Sequence, residues 1–261
     1  MIDFHNHVLP NVDDGPKTMT ESISMLRHAH EQGITDVVQT VHFQHPKMDG
    51  KNVDLNYLKK KVEDLQFEID KENLNIRMHL SAEVFYLPNL VEILKNPLVT
   101  CGNKKYMLIE FATNIFPRGY EEEFYNLQTH GITPIVAHPE RYRFVQNDIN
   151  ILQLWINRGY KIQIDAGSVI GQFGRHTQKI SHDMINEGFV HLIGSDAHND
   201  NKRNFCIYKA YESLGKMKSY EFVNFLKQNA INYMNGENIK NIKINKTSNF
   251  MTKIFKFIRI K

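Results

Sequence analysis

His5 and His7 stand two residues apart at the end of a short strand-like run, Ile2 to His5. Side chains alternate across an extended strand, so imidazoles at i and i+2 project to one side and form a two-point clamp for a cation. Alone, such a pair is unspecific, because histidines so spaced also occur on ordinary surfaces and in cores. Further polar groups of the same kind follow other apolar runs: Asp13-Asp14-Gly15, His42, Glu83, Glu110, His138 and Ser195-Asp196-Ala197-His198. A carboxylate isolated at the end of an apolar strand is costly to desolvate, and a metal cation offsets that cost. Imidazole and carboxylate donors without thiolates suit Zn²⁺, Mn²⁺ or Fe²⁺ better than a structural cysteine site. The donors exceed what one ion needs. Glu83 could bridge two, and two or three ions with an acidified bridging water suit hydrolysis of phosphate esters or amides.

Such residues share a site only if the fold gathers them. Seven β-rich or apolar runs recur: Ile2 to His5, Thr35 to Val41, Ile76 to Ala82, Tyr106 to Phe111, Thr133 to Ala137, Lys161 to Ile164 and Val190 to Ile193. Between them lie stretches with helical spacing, such as Ile23, Leu26, Ala29 and His30, or Leu55, Leu58, Val62, Leu65 and Ile69. Gly33, Gly131, Gly159 and Gly188 each fall between such a stretch and the next strand, where a left-handed helix cap is expected. Alternation of this kind predicts a parallel sheet, and seven units suit an α/β barrel. A doubly wound open sheet is the alternative, but His-Asn-His replaces the glycine-rich dinucleotide turn after the first strand. The candidate ligands lie at the C-terminal ends of the strands, which converge on one face of a parallel barrel.

Composition narrows the class. The chain has 261 residues, 41% hydrophobic and 23% charged, enough for a substantial core and unlike a disordered or fibrous sequence. It has no apolar run long enough to span a membrane and no signal-peptide pattern at Met1, so a cytoplasmic protein is expected, with Cys101 and Cys206 reduced. Neither cysteine begins the Cys-x5-Arg pattern of a cysteine phosphatase, since the residues six further on are Met107 and Glu212. A P-loop is also absent. Lys240, Lys243, Lys246, Lys253, Lys256, Arg259 and Lys261 form a basic tail without acids, which leaves 25 basic against 29 acidic residues in positions 1–239. A mildly acidic body argues against nucleic acid as a partner.

The segments Met1-Ile-Asp-Phe-His-Asn-His, Leu9-Pro-Asn-Val-Asp-Asp-Gly-Pro, Leu108-Ile-Glu-Phe, Pro134-Ile-Val-Ala-His-Pro-Glu-Arg and Ile193-Gly-Ser-Asp-Ala-His-Asn carry a family likeness. The chain resembles the polymerase-and-histidinol-phosphatase (PHP) superfamily. Within it, the chain is similar to the CpsB/CapC-type manganese-dependent protein-tyrosine phosphatases of bacterial capsule and exopolysaccharide loci. The resemblance implies a distorted (β/α)7 barrel with up to three ions, Mn²⁺ first and Zn²⁺ or Fe²⁺ as alternatives. It implies one ion on His5, His7, Glu83 and Asp196, a second on Glu83, Glu110 and His138, and a third on Asp14, His42 and His198. Asp13 competes with Asp14, because spacing does not tell which acid turns inward. Arg141 and Arg203 fall where such enzymes grip phosphate, and an arginine fork suits phosphate oxygens. Two positions depart from the pattern: Thr40-Val-His-Phe stands for Thr-Pro-His-His, and Asn204 follows Arg203 where relatives often have proline.

The implied reaction is attack by metal-activated hydroxide on a phosphotyrosine of a bacterial tyrosine kinase, with both arginines balancing the equatorial oxygens. Asp196 or His198 could assist as acid or base. Phe43, Phe85, Tyr86 and Phe116 follow strand ends and could contact an aromatic substrate. The remaining histidines, including His45 and His191, read as ordinary packing or surface residues. The competing readings are a histidinol-phosphatase-like phosphomonoesterase and a non-catalytic, metal-bound kinase scaffold. Oligomerisation is compatible with either. Residues 1–239 read as the barrel and 240–261 as an appendage. If helical, its Phe250, Ile254 and Ile258 would align opposite Lys253, Lys256 and Arg259, a pattern suited to peripheral binding at the anionic inner face of the membrane.

Overall fold

The computed structural model describes residues 1–48 and 54–242. Seven parallel strands run in sequential order: β1 (Ile2–Asn6), β2 (Asp36–Phe43), β3 (Arg77–Phe85), β4 (Tyr106–Glu110), β5 (Thr133–Val136), β6 (Lys161–Asp165) and β7 (Leu192–Gly194). The longest pairing joins β2 to β3, in register from Asp36 opposite Arg77 to Phe43 opposite Val84. The barrel closes irregularly. Between β7 and β1 only an isolated bridge, Asn6 with Ala197, is formed, and the seam is carried by Asp196 N donating to His5 O and His7 N to Ala197 O, both at 2.8 Å. The expected distorted (β/α)7 barrel is what the chain forms.

Helix α1 (Met19–Glu31) starts at Thr18, whose side chain accepts from Glu21 N, and α2 (Leu55–Lys71) starts at Asp54, which accepts from Tyr57 N. Such caps satisfy amides that the first turn leaves open. Both helices turn the predicted apolar stripe inward, Ile23, Leu26 and Ala29 on one and Leu58, Leu65 and Ile69 on the other. Helices α3 (Tyr120–Thr129), α4 (Arg143–Asn147), α5 (Ile151–Asn157), α6 (Ala166–Val169), α7 (Arg175–Asn186), α8 (Ile207–Met217) and α9 (Tyr220–Met234) follow. Gly33, Gly131, Gly159 and Gly188 all have positive φ, between 73° and 87°, and redirect the chain from helix to strand.

The barrel interior has an apolar floor and a polar roof. Phe4, Val38, Tyr106, Leu108, Ile135 and Leu192 form the floor with Tyr233 of α9, whose ring lies 5.0 Å from that of Phe4. His42 shares a strand face with Val38, and Glu110 shares one with Leu108, so the period of two carries the same inward face up to the roof. The larger outer core packs the helices on the sheet.

The opposite end of the barrel is tied to the chain that follows α9. Lys240 N donates to Asn229 Oδ1, and Asn241 Oδ1 lies 3.0 Å from His191 Nε2 and 2.6 Å from Lys161 Nζ. His191 Nδ1 accepts from Ile162 N, so the buried ring works as the neutral tautomer with hydrogen on Nε2. Burial pushes its pKa down to about 3. The unfolded chain protonates near the ordinary value of about 6.5, so the unfolded state binds more protons below it and stability falls as pH drops from there toward 3. His191→Gln should therefore lose less of its urea midpoint than the parent between about pH 7 and about pH 5. Equal losses would show that His191 does not contribute to acid sensitivity.

Candidate metal centre

At the C-terminal face of the barrel, Glu83 is buried among imidazoles. Its Oε2 lies 3.3 Å from His5 Nε2, 3.4 Å from His7 Nε2 and 3.3 Å from His42 Nδ1. Its Oε1 lies 2.8 Å from His138 Nε2. Asp196 Oδ1 stands 3.6 Å from His5 Nε2 and 3.4 Å from His7 Nε2. Asp14 Oδ1 faces His42 Nε2 at 3.3 Å and His198 Nε2 at 3.2 Å. All nine expected ligands thus converge on one roof, drawn from β1, β2, β3, β4 and the segments after β1, β5 and β7.

Their atoms fall into three compact groups that could each hold an ion: His5, His7, Glu83 and Asp196; His7, Asp14, His42 and His198; and His42, Glu83 and Glu110. The first matches the expected set, and the second adds His7 to the expected trio. In the third, the imidazole near Glu110 is that of His42, at 3.8 Å, whereas His138 is hydrogen-bonded to the far oxygen of Glu83. Asp13 and Asp14 divide the work. Asp14 faces the cluster, while Asp13 Oδ2 accepts from His7 Nδ1 at 2.9 Å and fixes that ring from behind, with its nitrogen Nε2 free to face the site. A Cβ at Gly15 would strike the carbonyl oxygen of His7, so this return of the chain beneath His7 requires glycine.

The donor set fits divalent cations. His5 Nε2, His7 Nε2, His42 Nδ1, Glu83 Oε2 and Glu110 Oε2 are buried without a hydrogen-bond partner, and all of them point into the three groups. Folded proteins rarely leave so many buried polar atoms unsatisfied at one place. Burial and then the charge of Glu83 push Glu110 up to about 8. A carboxylate there ionises at neutral pH only with added positive charge nearby. Burial also pushes Glu83 up, but His5, His138 and His7 outweigh it and hold this carboxyl well below the usual range.

Two arginines flank the cluster. Arg141 Nη1 and Arg203 Nη2 both donate to Asp196 Oδ2 at 2.6 Å. Phe173 lies across both guanidinium groups, 5.0 Å from that of Arg141 and 5.8 Å from that of Arg203. Asp165, buried at the end of β6, stands 3.6 Å from Arg141 Nη1, and its backbone N–H donates to the buried Glu140 Oε1. Sequence reading passed over Asp165, although the strand-end rule that found Glu83 and Glu110 applies to it equally. Gln163, two residues earlier on the same face, holds His5 Nδ1 at 3.1 Å. Phe173 carries no such signal, since it comes from the loop after α6. His45, read as ordinary, reaches the edge of the site, with Nε2 4.0 Å from Glu110 Oε2. Of the four aromatic candidates, Phe43 is buried in the outer core, Tyr86 packs on Phe111 and donates to Arg118 O, and Phe116 packs on Tyr120 and Phe144. Phe85 packs against His45, near the cluster.

The family model described as capsular polysaccharide synthesis, CpsB/CapC, matches residues 1–236. The chain belongs to the CpsB/CapC family. It is 35% identical over 230 residues to the putative tyrosine-protein phosphatase CapC of Staphylococcus aureus, covering 87% of this chain and 89% of that protein. Identity to the tyrosine-protein phosphatase YwqE of Bacillus subtilis is 32% over 231 residues, or 88% and 90% of the two chains. A solved chain from work on YwqE of Bacillus subtilis and CpsB of Streptococcus pneumoniae, described there as unique metal-dependent tyrosine phosphatases, superposes with a TM-score of 0.86. It is 31% identical, covering 93% of this chain and 97% of that one. The family's fold and the buried donor cluster therefore occur together here. If Asp13 orients His7 for a metal, Asp13→Asn should lower Mn²⁺ affinity about 10–100-fold in titration calorimetry of metal-stripped protein. Unchanged affinity would remove Asp13 from that role.

Proposed function

We propose that this protein is a metal-dependent protein-tyrosine phosphatase acting on a phosphotyrosine protein, with a bacterial tyrosine kinase of a capsule or exopolysaccharide system as the substrate. The observation that carries the reading is the set of buried, unpartnered imidazole and carboxylate atoms beside two arginines. His5, His7, Asp14, His42, Glu83, Glu110, His138, Asp196 and His198 are the proposed ligands of two or three ions. Mn²⁺ is the proposed metal, and a donor set without thiolate supports it over a structural zinc site. Bound divalent ions would supply Lewis-acid activation of water and neutralisation of phosphoryl charge.

The chain's own groups complete the site. Arg141 and Arg203 bind the equatorial phosphoryl oxygens, where charge accumulates as the bond to the leaving group weakens. Asp196 presents one oxygen to the imidazoles of His5 and His7 and the other to both arginines, so it sets the distance between cluster and clamp. His198 Nδ1 donates to Asp196 O at 2.8 Å, which turns Nε2 toward Asp14. A departing tyrosine phenolate, with a pKa of about 10, needs little proton donation. Neither Asp196 nor His198 therefore has to leave its present partners to act as an acid.

With Mn²⁺ added, a phosphotyrosyl peptide should be hydrolysed much faster than a phosphoseryl peptide of the same sequence or histidinol phosphate. A preference for histidinol phosphate would favour a small-molecule phosphatase. No turnover of any of the three, with metal bound, would favour a scaffold.

The same reading assigns residues 1–239 to the phosphatase unit and 240–261 to a basic appendage, which starts from the barrel contacts of Lys240 and Asn241 and holds the enzyme at an anionic membrane surface from the cytoplasmic side. No helix among the described residues is long and apolar enough to cross a membrane. Positions 243–261 lie outside the described residues, and the proposal for them rests on their composition. Each basic residue near an acidic leaflet could contribute about 1 kcal/mol. Full-length protein should co-sediment with phosphatidylserine-containing vesicles and lose binding in high salt. A truncation after Ile242, which keeps Asn241 in its contacts, should not bind. Equal partitioning of the two would overturn the membrane role.

A further inference from the structure

We infer that the cavity beside Glu110 is the subsite for the phenyl ring of the phosphotyrosine side chain, an assignment that rests on the phosphatase reading. The cavity has a volume of about 270 Å³, and its apolar walls are Pro46, Phe85, Phe111 and Ile115, with His45 and Glu110 between them. An engineered apolar cavity of about 150 Å³ is large enough for benzene. A single ring therefore fits with room for its linkage to the peptide, while the volume lies below the usual range of about 300–1,000 Å³ for larger organic ligands.

Location ties the cavity to the reacting group. Glu110 belongs both to its wall and to the donor group that it forms with His42 and Glu83. A phosphoryl group held at the cluster thus has its ester substituent within reach of this cavity. Elsewhere, the comparable hollows lined by Lys218 and Phe225, or by Asp36 and Arg77, contain none of the cluster residues.

The walls are braced before any ligand arrives. Gln44 has φ 52°, and its Nε2 donates to Phe85 O at 2.9 Å and to Asn89 Oδ1 at 3.1 Å, while Asn89 Nδ2 donates back to Gln44 Oε1. This clasp sets His45 edge-on to Phe85, with ring centroids 4.9 Å apart. On the other side, Arg143 N donates to Thr113 O and Arg143 Nε to Asn114 Oδ1, which pins the loop carrying Ile115. Ile115 is nonetheless 67% exposed. An exposed isoleucine on a pinned loop, facing an aromatic wall beside a phosphoryl site, is suited to covering one face of a planar ring. Selectivity for an aryl ester would then come from ring burial as well as from the leaving group.

The test uses Mn²⁺-loaded full-length protein with phenyl phosphate as substrate and inorganic phosphate, which lacks the ring, as competitive inhibitor. Ile115→Ser and Phe85→Leu should each raise KM for phenyl phosphate about fivefold, from the lost apolar contact, with the inhibition constant of phosphate kept at the parent value. Because Ile115 is exposed, its replacement keeps the test valid if the Phe85 variant fails to fold. Parent-like KM in the Ile115 variant would overturn the subsite while leaving the phosphatase reading intact. A parallel rise of KM and of the phosphate constant would also overturn it, by assigning these residues to the phosphoryl group. A parent that hydrolyses a phosphotyrosyl peptide but not phenyl phosphate would overturn the subsite alone, whereas a parent that hydrolyses neither would overturn the phosphatase reading, and the subsite with it.

Discussion

A carboxylate buried at the top of the barrel governs the rest of this structure. Glu83 is 1% exposed and faces four imidazoles, with Asp196 and Glu110 nearby. Removing such a group from water is tolerated only with compensating charge and hydrogen bonds. Imidazoles alone leave Glu83 Oε2 without a hydrogen-bond partner and Glu110 reluctant to ionise. Divalent cations would resolve both at once, which is why the donor count and the burial have a common explanation.

That constraint reaches into the backbone through the barrel seam. His5 and His7 belong to one side of the β7–β1 junction and Asp196 and His198 to the other, and the same peptide groups that close the seam lie next to these side chains. Gly194 shows how close the approach is, since a Cβ there would come within 2.6 Å of the Cβ of His5. Gln39 Oε1 accepts from Val8 N and Leu9 N and steers the chain away from His7. Asp3 Oδ1 accepts from Ser195 N at 3.2 Å and His5 N at 3.3 Å, stitching the two strands beneath these side chains. Irregular pairing at this seam is therefore the form in which four donors come together.

What the sequence made legible follows from periodicity. Strand starts and ends, helix stripes and the glycine caps obey short-range rules, and the ligand types recur at the strand ends where those rules place them. His42 and Glu110 could be found because a period of two keeps them on the face of Val38 and Leu108. The pairing of His42 rather than His138 with Glu110 was not legible, because it depends on ring orientation across three strands. Phe173 and His45 sit in loops whose course is set by tertiary contacts, the clasp of Gln44 with Asn89 among them. Nothing in their spacing reveals what they approach. Asp13 required a side-chain hydrogen bond to His7 to be separated from Asp14 in role.

The most direct measurement of the central claim is an anomalous-difference map from a crystal of this protein grown with Mn²⁺, recorded on both sides of the manganese edge. The account predicts at least two peaks at the roof of the barrel, one among His5, His7, Glu83 and Asp196 and another sharing Glu83 or His7 with its neighbours. A map with no manganese peak in contact with Glu83, in protein saturated with the ion, would contradict it.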